Sequence, residues 1–330
     1  MFWNITNWPL IFYPAVFGVI NLYLVIYWNY FYNVTSFCKN NTRMDGKTVI
    51  ITGCTSGIGK ETVKDLAKRG AKVIMACRNV DLANKIKEDI IKETNNFNIN
   101  VRKLDLCSLQ SIRKFAEQIN KEESKLDVLI HNAGVAQFLR NEVSKDNLEI
   151  TMQTNHYGPF LLTHLLIDLL KRSYRSRIIV VSSIGYRFAS INLNNPNPTN
   201  AILPFYLYFV SKRANVVFTL ELARRLEGTG VTANCIHPGI IETNLLQNIP
   251  NGFYWFLILV LKPFFITAEQ GAQTTIYLAV SEEINGVTGK YFKNCMEASL
   301  TKNVKNSVLG KKFWEISERM VKLQPTDPKI

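Results

Sequence analysis

A chain of 330 residues has room for one large α/β domain or two small ones, and 47% hydrophobic residues with a mean hydropathy of +0.01 is high for a soluble protein. Lys plus Arg outnumber Asp plus Glu by 39 to 26; the net +13 suits a negatively charged membrane surface or a phosphorylated cofactor. Zinc-finger spacing, an RNP-like motif and a basic helix of nucleic-acid character are absent, so nucleic acid is not an expected partner. The four histidines (131, 156, 164, 237) have no metal-ligand spacing, and no metal is expected. The six cysteines are scattered without a C-x-x-C pair, several within apolar runs, which points to a reducing compartment.

In chain order, no charged residue precedes Lys39, and residues 8–31 are dense in aliphatic and aromatic side chains. That supplies the roughly 20 apolar residues a membrane span needs, with Trp8, Tyr13, Trp28, Tyr30 and Tyr32 placed like interfacial aromatics. A cleaved signal peptide would need a basic start and a small-residue cleavage site, and neither is present. Lys39, Arg43 and Lys47 follow directly, so the positive-inside rule puts that end in the cytosol. The expectation is an anchor over residues 1–38 and one domain over residues 39–330.

From residue 48 onward, strand-like and helix-like stretches alternate, as in a doubly wound parallel α/β sheet with helices on both faces. Strands are expected over 48–51, 72–77, 100–104, 126–131, 177–182 and 231–236. Helices are expected over 61–68, 81–93, 109–121, 148–170 and 206–226. Residues 192–200 are a Pro/Asn-rich loop.

The first strand, its glycine turn (Gly53-Cys54-Thr55-Ser56-Gly57-Ile58-Gly59) and the helix behind it make an anion site: bare backbone N–H groups and a positive helix end can approach a pyrophosphate. Arg78 ends the second strand where NAD-binding units carry an acidic residue for the ribose hydroxyl. With Lys60 beside the turn, two cations suit the 2′-phosphate of NADP(H). Asp105, taken alone, reads as a cap for the helix starting near Ser108. Tyr208 and Lys212, at i and i+4 on one helix, share a face, so the ammonium can favour the phenolate. Ser182 and Ser183 end the strand before that helix, placing a hydroxyl beside Tyr208.

The TGxxxGxG spacing, Asn132-Ala133-Gly134, Tyr208-x-x-x-Lys212 and Pro238-Gly239, in this order over about residues 47–292, resemble the short-chain dehydrogenase/reductase family. The resemblance implies a Rossmann-like fold in which Gly53, Thr55, Ser56, Gly57, Ile58, Gly59, Arg78 and Asp105 hold the cofactor, Asp105 against the adenine. It implies cofactor contacts also from Asn132, Ala133, Gly134, Tyr208, Lys212, Pro238, Gly239, Ile241 and Thr243, the last two flanking the nicotinamide. The catalytic group it implies is Asn155, Ser183, Tyr208 and Lys212, with Ser182 structural. Ala76-Cys77-Arg78, Ser211–Asn215, His237-Pro238-Gly239, Glu269–Thr274, Gly286–Phe292 and Lys312–Glu318 are similar to the microsomal retinol dehydrogenase group.

The resulting expectation is an NADP(H)-dependent oxidoreductase of the endoplasmic reticulum membrane, its catalytic domain facing the cytosol. It interconverts a lipophilic alcohol and its aldehyde or ketone, retinol and retinal first. A steroid, farnesal or lipid-aldehyde reductase is the alternative within the class, and a non-catalytic membrane scaffold the alternative outside it. The expected partners are a lipophilic small molecule and membrane lipid, and a homodimer is compatible with the pattern. The apolar run 253–261 reads as part of a substrate lid over about residues 244–267 that dips into the membrane.

Overall fold

The computed structural model describes residues 16–18, 21, 23–25, 28, 37–241 and 265–330. At its centre is an eight-stranded sheet. β1 (Thr48–Thr52), β2 (Lys72–Cys77), β3 (Ile99–Lys103), β4 (Val128–His131), β5 (Arg177–Val181), β6 (Thr232–His237), β9 (Tyr291–Lys293) and β10 (Met296–Ala298) lie in the order β10-β9-β6-β5-β4-β1-β2-β3. All neighbours are parallel except β9 and β10. A separate pair, β7 (Ile240–Ile241) and β8 (Phe265–Ile266), runs parallel beside it.

Period-two alternation along the central strands feeds two cores. Ile50, Leu129, Ile178 and Val180 face one, and Val49, Ile51, Ile130, Ile179 and Val181 face the other. The second core is covered by α1 (Gly57–Lys68), α2 (Val80–Thr94) and α6 (Ala268–Val280). The first is covered by α3 (Leu109–Glu122), α4 (Gly158–Arg172), α5 (Tyr206–Arg225) and α7 (Ser307–Met320). The helix ends follow local chemistry. Asn79 caps α2 and Ser108 caps α3, while Thr267 and Gln270 form a capping box on α6. Asn95, at φ 54°, turns the chain out of α2.

Several expected boundaries move. The first helix begins at Gly57, four residues before the expected start, because the glycine turn passes directly into it. The stretch expected as one helix over 148–170 is a short helical turn (Ile150–Met152), a π-helical turn (Gln153–Tyr157) and α4. There the Gly158 amide reaches back to the Gln153 carbonyl, five residues away, and a Cβ on Gly158 would sit 2.7 Å from the Leu106 carbonyl oxygen. Asp105 does not cap α3. Ser108 does, while the Asp105 carboxylate accepts from the Cys107 amide at 2.9 Å in a local turn.

The C-terminal segment adds cover that the strand–helix pattern did not announce. Trp314 of α7 meets Phe160 edge-on at 4.8 Å and stacks on Phe218 at 5.9 Å, and the Arg225 guanidinium lies 4.4 Å from its ring centre. Beyond α7, Arg113 grips the Asp327 carboxylate with two bonds of 2.7 and 2.8 Å.

Of the expected anchor, the described residues 16–18, 21, 23–25 and 28 are helical, with Phe17, Leu24, Val25 and Trp28 exposed, and Phe37 and Cys38 are irregular. Among the described residues no helix is long and apolar enough to cross a membrane. Thr243 and the apolar run 253–261 lie outside the described residues, as does the expected lid apart from β8 and Thr267.

Trp314→Ala removes the aromatic keystone between α4, α5 and α7. It is expected to lower unfolding stability by about 3–5 kcal/mol, the usual cost of truncating a buried large aromatic. A urea midpoint within error of wild type would show that the C-terminal helix is dispensable to the fold.

Candidate active site

The strand order 3-2-1-4-5-6 reverses between β1 and β4, and ligands of such sheets bind outside the carboxyl ends of the strands at that point. The junction is tightly bonded. The Thr52 hydroxyl accepts from the amides of Asn132 and Ala133, both at 3.1 Å. The Asn132 side-chain amide donates to the carbonyls of Thr52 at 3.0 Å and Gly53 at 2.8 Å.

The turn after β1 needs its glycines chiefly to close on itself. Gly53 has φ +65°, and a Cβ there would lie 2.6 Å from Ala133 Cα; a Cβ on Gly59 would overlap the Gly53 carbonyl. Helix α1 then starts with Ser56 at its N-cap, exposed and extended, its side chain making no capping bond and no acid in the first turn. Amide donors of that turn are left for an anion. Thr55 and Ile58 are half-buried within the same turn. Beneath it Cys54 and Cys77 meet as free thiols; their hydrogen bond raises Cys54, burial adding to the rise, and lowers Cys77.

Arg78 stands exposed at the end of β2, with no hydrogen bond or ion pair among the described residues, and Lys60 is half-exposed in α1. Both cations are therefore available to a phosphate. Gly134 faces Lys212, where a Cβ would sit 3.2 Å from Nζ. Gly239 turns the chain at φ +99°. The Ile241 side chain is committed to packing: its Cδ1 fills the space where a Cβ on Gly271 would stand.

Asn155 lies inside the π turn and is 1% exposed. Its Oδ1 accepts from the Val135 amide at 2.8 Å, and its Nδ2 donates to the Val135 carbonyl and to Ser211 Oγ, both at 2.9 Å. The Ser211 hydroxyl in turn donates a hydrogen bond to the Tyr208 carbonyl at 2.7 Å. This asparagine therefore links the loop after β4 to the first turn of α5, a role that an ordinary helix-interior residue would not have.

Ser182 and Ser183 separate cleanly. Ser182 Oγ is buried and donates to the Lys212 carbonyl at 2.8 Å. Ser183 Oγ accepts from the Gly185 amide at 3.1 Å and hydrogen-bonds with the Tyr208 phenol. Lys212 Nζ donates to the Val181 carbonyl at 3.0 Å and lies 5.5 Å from the Tyr208 ring centre. Burial pushes Lys212 down to about 8 and Tyr208 up to about 12, the Ser183 bond pulling the phenol the other way. The expected lowering of the phenol by its neighbour cation is thus outweighed in this arrangement by desolvation. Among the described residues no group of three or more His, Cys, Asp or Glu side chains could hold a metal ion.

A model of the short chain dehydrogenase family matches residues 47–252. Human retinol dehydrogenase 14 is 43% identical over 303 residues, covering 85% of this chain and 88% of that protein. Mouse retinol dehydrogenase 12 is 39% identical, covering 87% and 90%. The chain belongs to the short-chain dehydrogenase family. Among solved structures, an uncharacterised Mycobacterium paratuberculosis protein superposes with TM-score 0.69 at 30% identity, over 85% of this chain and 95% of that one. A Shigella flexneri short chain dehydrogenase complexed with NADP is alike in fold (TM-score 0.62, 23% identity, 78% and 100% covered).

In this short-chain dehydrogenase the sequence reading missed the aromatic wall beside Tyr208. Phe138 stacks on Phe205 at 4.5 Å and 16°, and Phe205 on Tyr208 at 5.9 Å and 10°. Phe138 and Phe205 are 67 residues apart, so no periodicity could pair them. The spacing of the histidines says only that they are not metal ligands, and nothing in it gives their burial. His131, His156 and His237 are in fact buried neutral groups, pushed by burial from the usual 6.5 down to about 3.

That shift has a signed consequence. Between pH 6.5 and about 3 the unfolded chain binds protons at these histidines that the folded dehydrogenase refuses, so stability falls as pH falls through this window. Urea titrations between pH 7 and 5.5, above the range of the lowered carboxylates, are expected to show a steady loss. A flat profile there would mean that the histidines are not buried neutral.

Proposed function

We propose that this short-chain dehydrogenase is an NADP(H)-dependent oxidoreductase that interconverts a lipophilic alcohol and its aldehyde or ketone, retinol and retinal first. The observation that carries the reading is the meeting of the Ser183 and Tyr208 hydroxyls, with Lys212 Nζ beside the same ring, at the carboxyl edge of the sheet next to the glycine turn. A non-catalytic scaffold would need none of these buried polar groups at this edge.

The cofactor fit rests on the cradle. Gly53, Thr55, Ser56, Gly57, Ile58 and Gly59 present the open start of α1, Asn132, Ala133 and Gly134 border it, and Asp105 offers a carboxylate beyond β3. Pro238, Gly239 and Ile241, which follow β6, and Thr243, two residues further in the sequence, complete the proposed assignment. Arg78 and Lys60 favour a 2′-phosphate over a bare ribose hydroxyl. A bound nicotinamide supplies the hydride in reduction and accepts it in oxidation.

Ser183 holds the substrate oxygen. Tyr208, kept protonated by burial, gives its phenolic proton to that oxygen in reduction. In oxidation the same phenol must lose its proton first, and the Lys212 ammonium beside its ring would favour that loss against the desolvation that opposes it. Asn155 holds the Val135 loop and the first turn of α5 in register. The flat rings of Phe138 and Phe205 suit an apolar, unsaturated chain. The retinol dehydrogenase names of the relatives favour a retinoid among such chains.

We place the protein in the endoplasmic reticulum membrane, anchored by residues 1–38 with its catalytic part in the cytosol. The helical, exposed Phe17, Leu24, Val25 and Trp28 support an apolar environment there. So does Asn21, whose side-chain amide turns back onto the Phe17 carbonyl at 2.8 Å.

Solubilised protein assayed with retinal, a steroid ketone and farnesal, each with NADPH and NADH, tests the assignment; activity with NADH alone would overturn the cofactor choice. Tyr208→Phe deletes only the ionisable group, so kcat is expected to fall about 10²–10⁴-fold while NADPH still binds. Retention of more than about a tenth of kcat would remove Tyr208 from the proton transfer. Arg78→Asp is expected to raise the KM for NADPH strongly and to improve NADH. Unchanged KM values for both would mean that Arg78 does not meet the cofactor.

A further inference from the structure

His237 ends β6 and is 4% exposed. Its Nδ1 accepts from two backbone amides, Ile184 at 3.2 Å and Gly239 at 3.4 Å. Both donors point at one lone pair, so Nδ1 carries no proton and the ring's single N–H is on Nε2. The charged groups that face it, Arg187 from the turn after β5 and Lys293 from β9, are both cations and oppose a second proton.

The two amides belong to different parts of the site. Ile184 directly follows Ser183, and Gly239 is the turn between β6 and β7. Apart from Tyr208, Ser183 is steered from its own loop by the Gly185 amide, which donates to its hydroxyl, while the Phe209 ring of α5 rests against the bare Cα of Gly185. Remove the imidazole acceptor and the Ile184 amide, half-buried and beyond the end of β5, loses its bond.

We propose that His237 is a positioning residue: it holds the Ser183 hydroxyl against Tyr208 and ties that hydroxyl to the Pro238-Gly239 turn, so that the two strand ends act as one rigid unit. The inference rests on the proposed role of Ser183. Its consequence is chemical. The Ser183 bond is what pulls the phenol of Tyr208 down against burial, with the Lys212 ammonium beside that ring. Loosening Ile184 weakens this bond and lets the phenol titrate higher.

The test compares His237→Asn, whose side-chain oxygen can stand where Nδ1 stood, with His237→Phe, which fills the space without an acceptor. Ser183→Ala serves as the reference, and full-length protein is used in detergent. For His237→Phe we expect a kcat loss on the order of 10²-fold, as for other displacements of about 1 Å. The pH midpoint of alcohol oxidation should move upward, and the NADPH Kd from fluorescence titration should stay within about threefold. His237→Asn should recover most of kcat and the wild-type midpoint. The proposal is overturned if both variants lose activity equally with the midpoint unmoved, which is the pattern of a space-filling core residue. Should His237→Phe fail to fold, the midpoint of His237→Asn alone decides: a midpoint displaced as far as that of Ser183→Ala overturns the proposal, and a wild-type midpoint supports it. If instead Ser183→Ala is fully active, the reading of the catalytic site fails, and the inference with it.

Discussion

The pin between the first and fourth strands is the constraint on which the site depends. Four hydrogen bonds cross the β1–β4 junction, each satisfying a polar group where the strands stop. Two join Thr52 and Asn132, one runs from the Asn132 side chain to the Gly53 carbonyl, and one from the Ala133 amide to the Thr52 hydroxyl. From there the order passes outward without a gap. The chain after Asn132 brings Val135 to Asn155, Asn155 to Ser211, and Ser211 to the carbonyl of Tyr208. The glycine turn and the phenol, on different elements, are therefore parts of one bonded frame.

The π turn is what allows that frame to close. An α-helix through 150–172 would place Asn155 by the 3.6 repeat, and its side chain would follow the helix face. One wider turn re-aims it across to Val135, and the bare Cα of Gly158 allows the helix to lie against the Leu106 carbonyl. Such turns are rare, recur at functional sites, and persist only where surrounding contacts hold them. Here His156, in the same turn, bonds Ser317 of α7 at 3.0 Å and stacks on Phe313 at 4.9 Å. The C-terminal helix thus stabilises the turn from the side away from the site.

Burial sets the electrostatics of the site more strongly than the pairing of charges does. Lys212 gives up water for one carbonyl, that of Val181, and Tyr208 gives up water for a serine hydroxyl. Each shift favours the neutral form, so the pair rests as a phenol and a lysine whose charge is easily lost. A site poised this way responds strongly to a nearby hydroxyl or phosphate, because little water is present to screen it.

Much of this was legible in the sequence, for identifiable reasons. Buried β-branched runs between amphipathic helices can form little other than a parallel sheet, and the glycine spacing marked the turn where the chain must pass close to itself. The helical repeat put Tyr208 and Lys212 on one face and the strand end placed Ser182 and Ser183 nearby, while the family resemblance singled out Ser183. What the sequence could not decide was direction and distance between elements far apart in the chain. It could not tell that Asp105 closes a local turn while Ser108 caps the helix, or that Ile241 packs on Gly271. It could not foresee that Phe138 meets Phe205, or that a histidine after β6 accepts from the amide behind Ser183. Local patterns record which face of an element is apolar. They do not record the depth at which a side chain is buried or which neighbour it meets, and in this site depth and neighbours determine the charge on Tyr208 and Lys212.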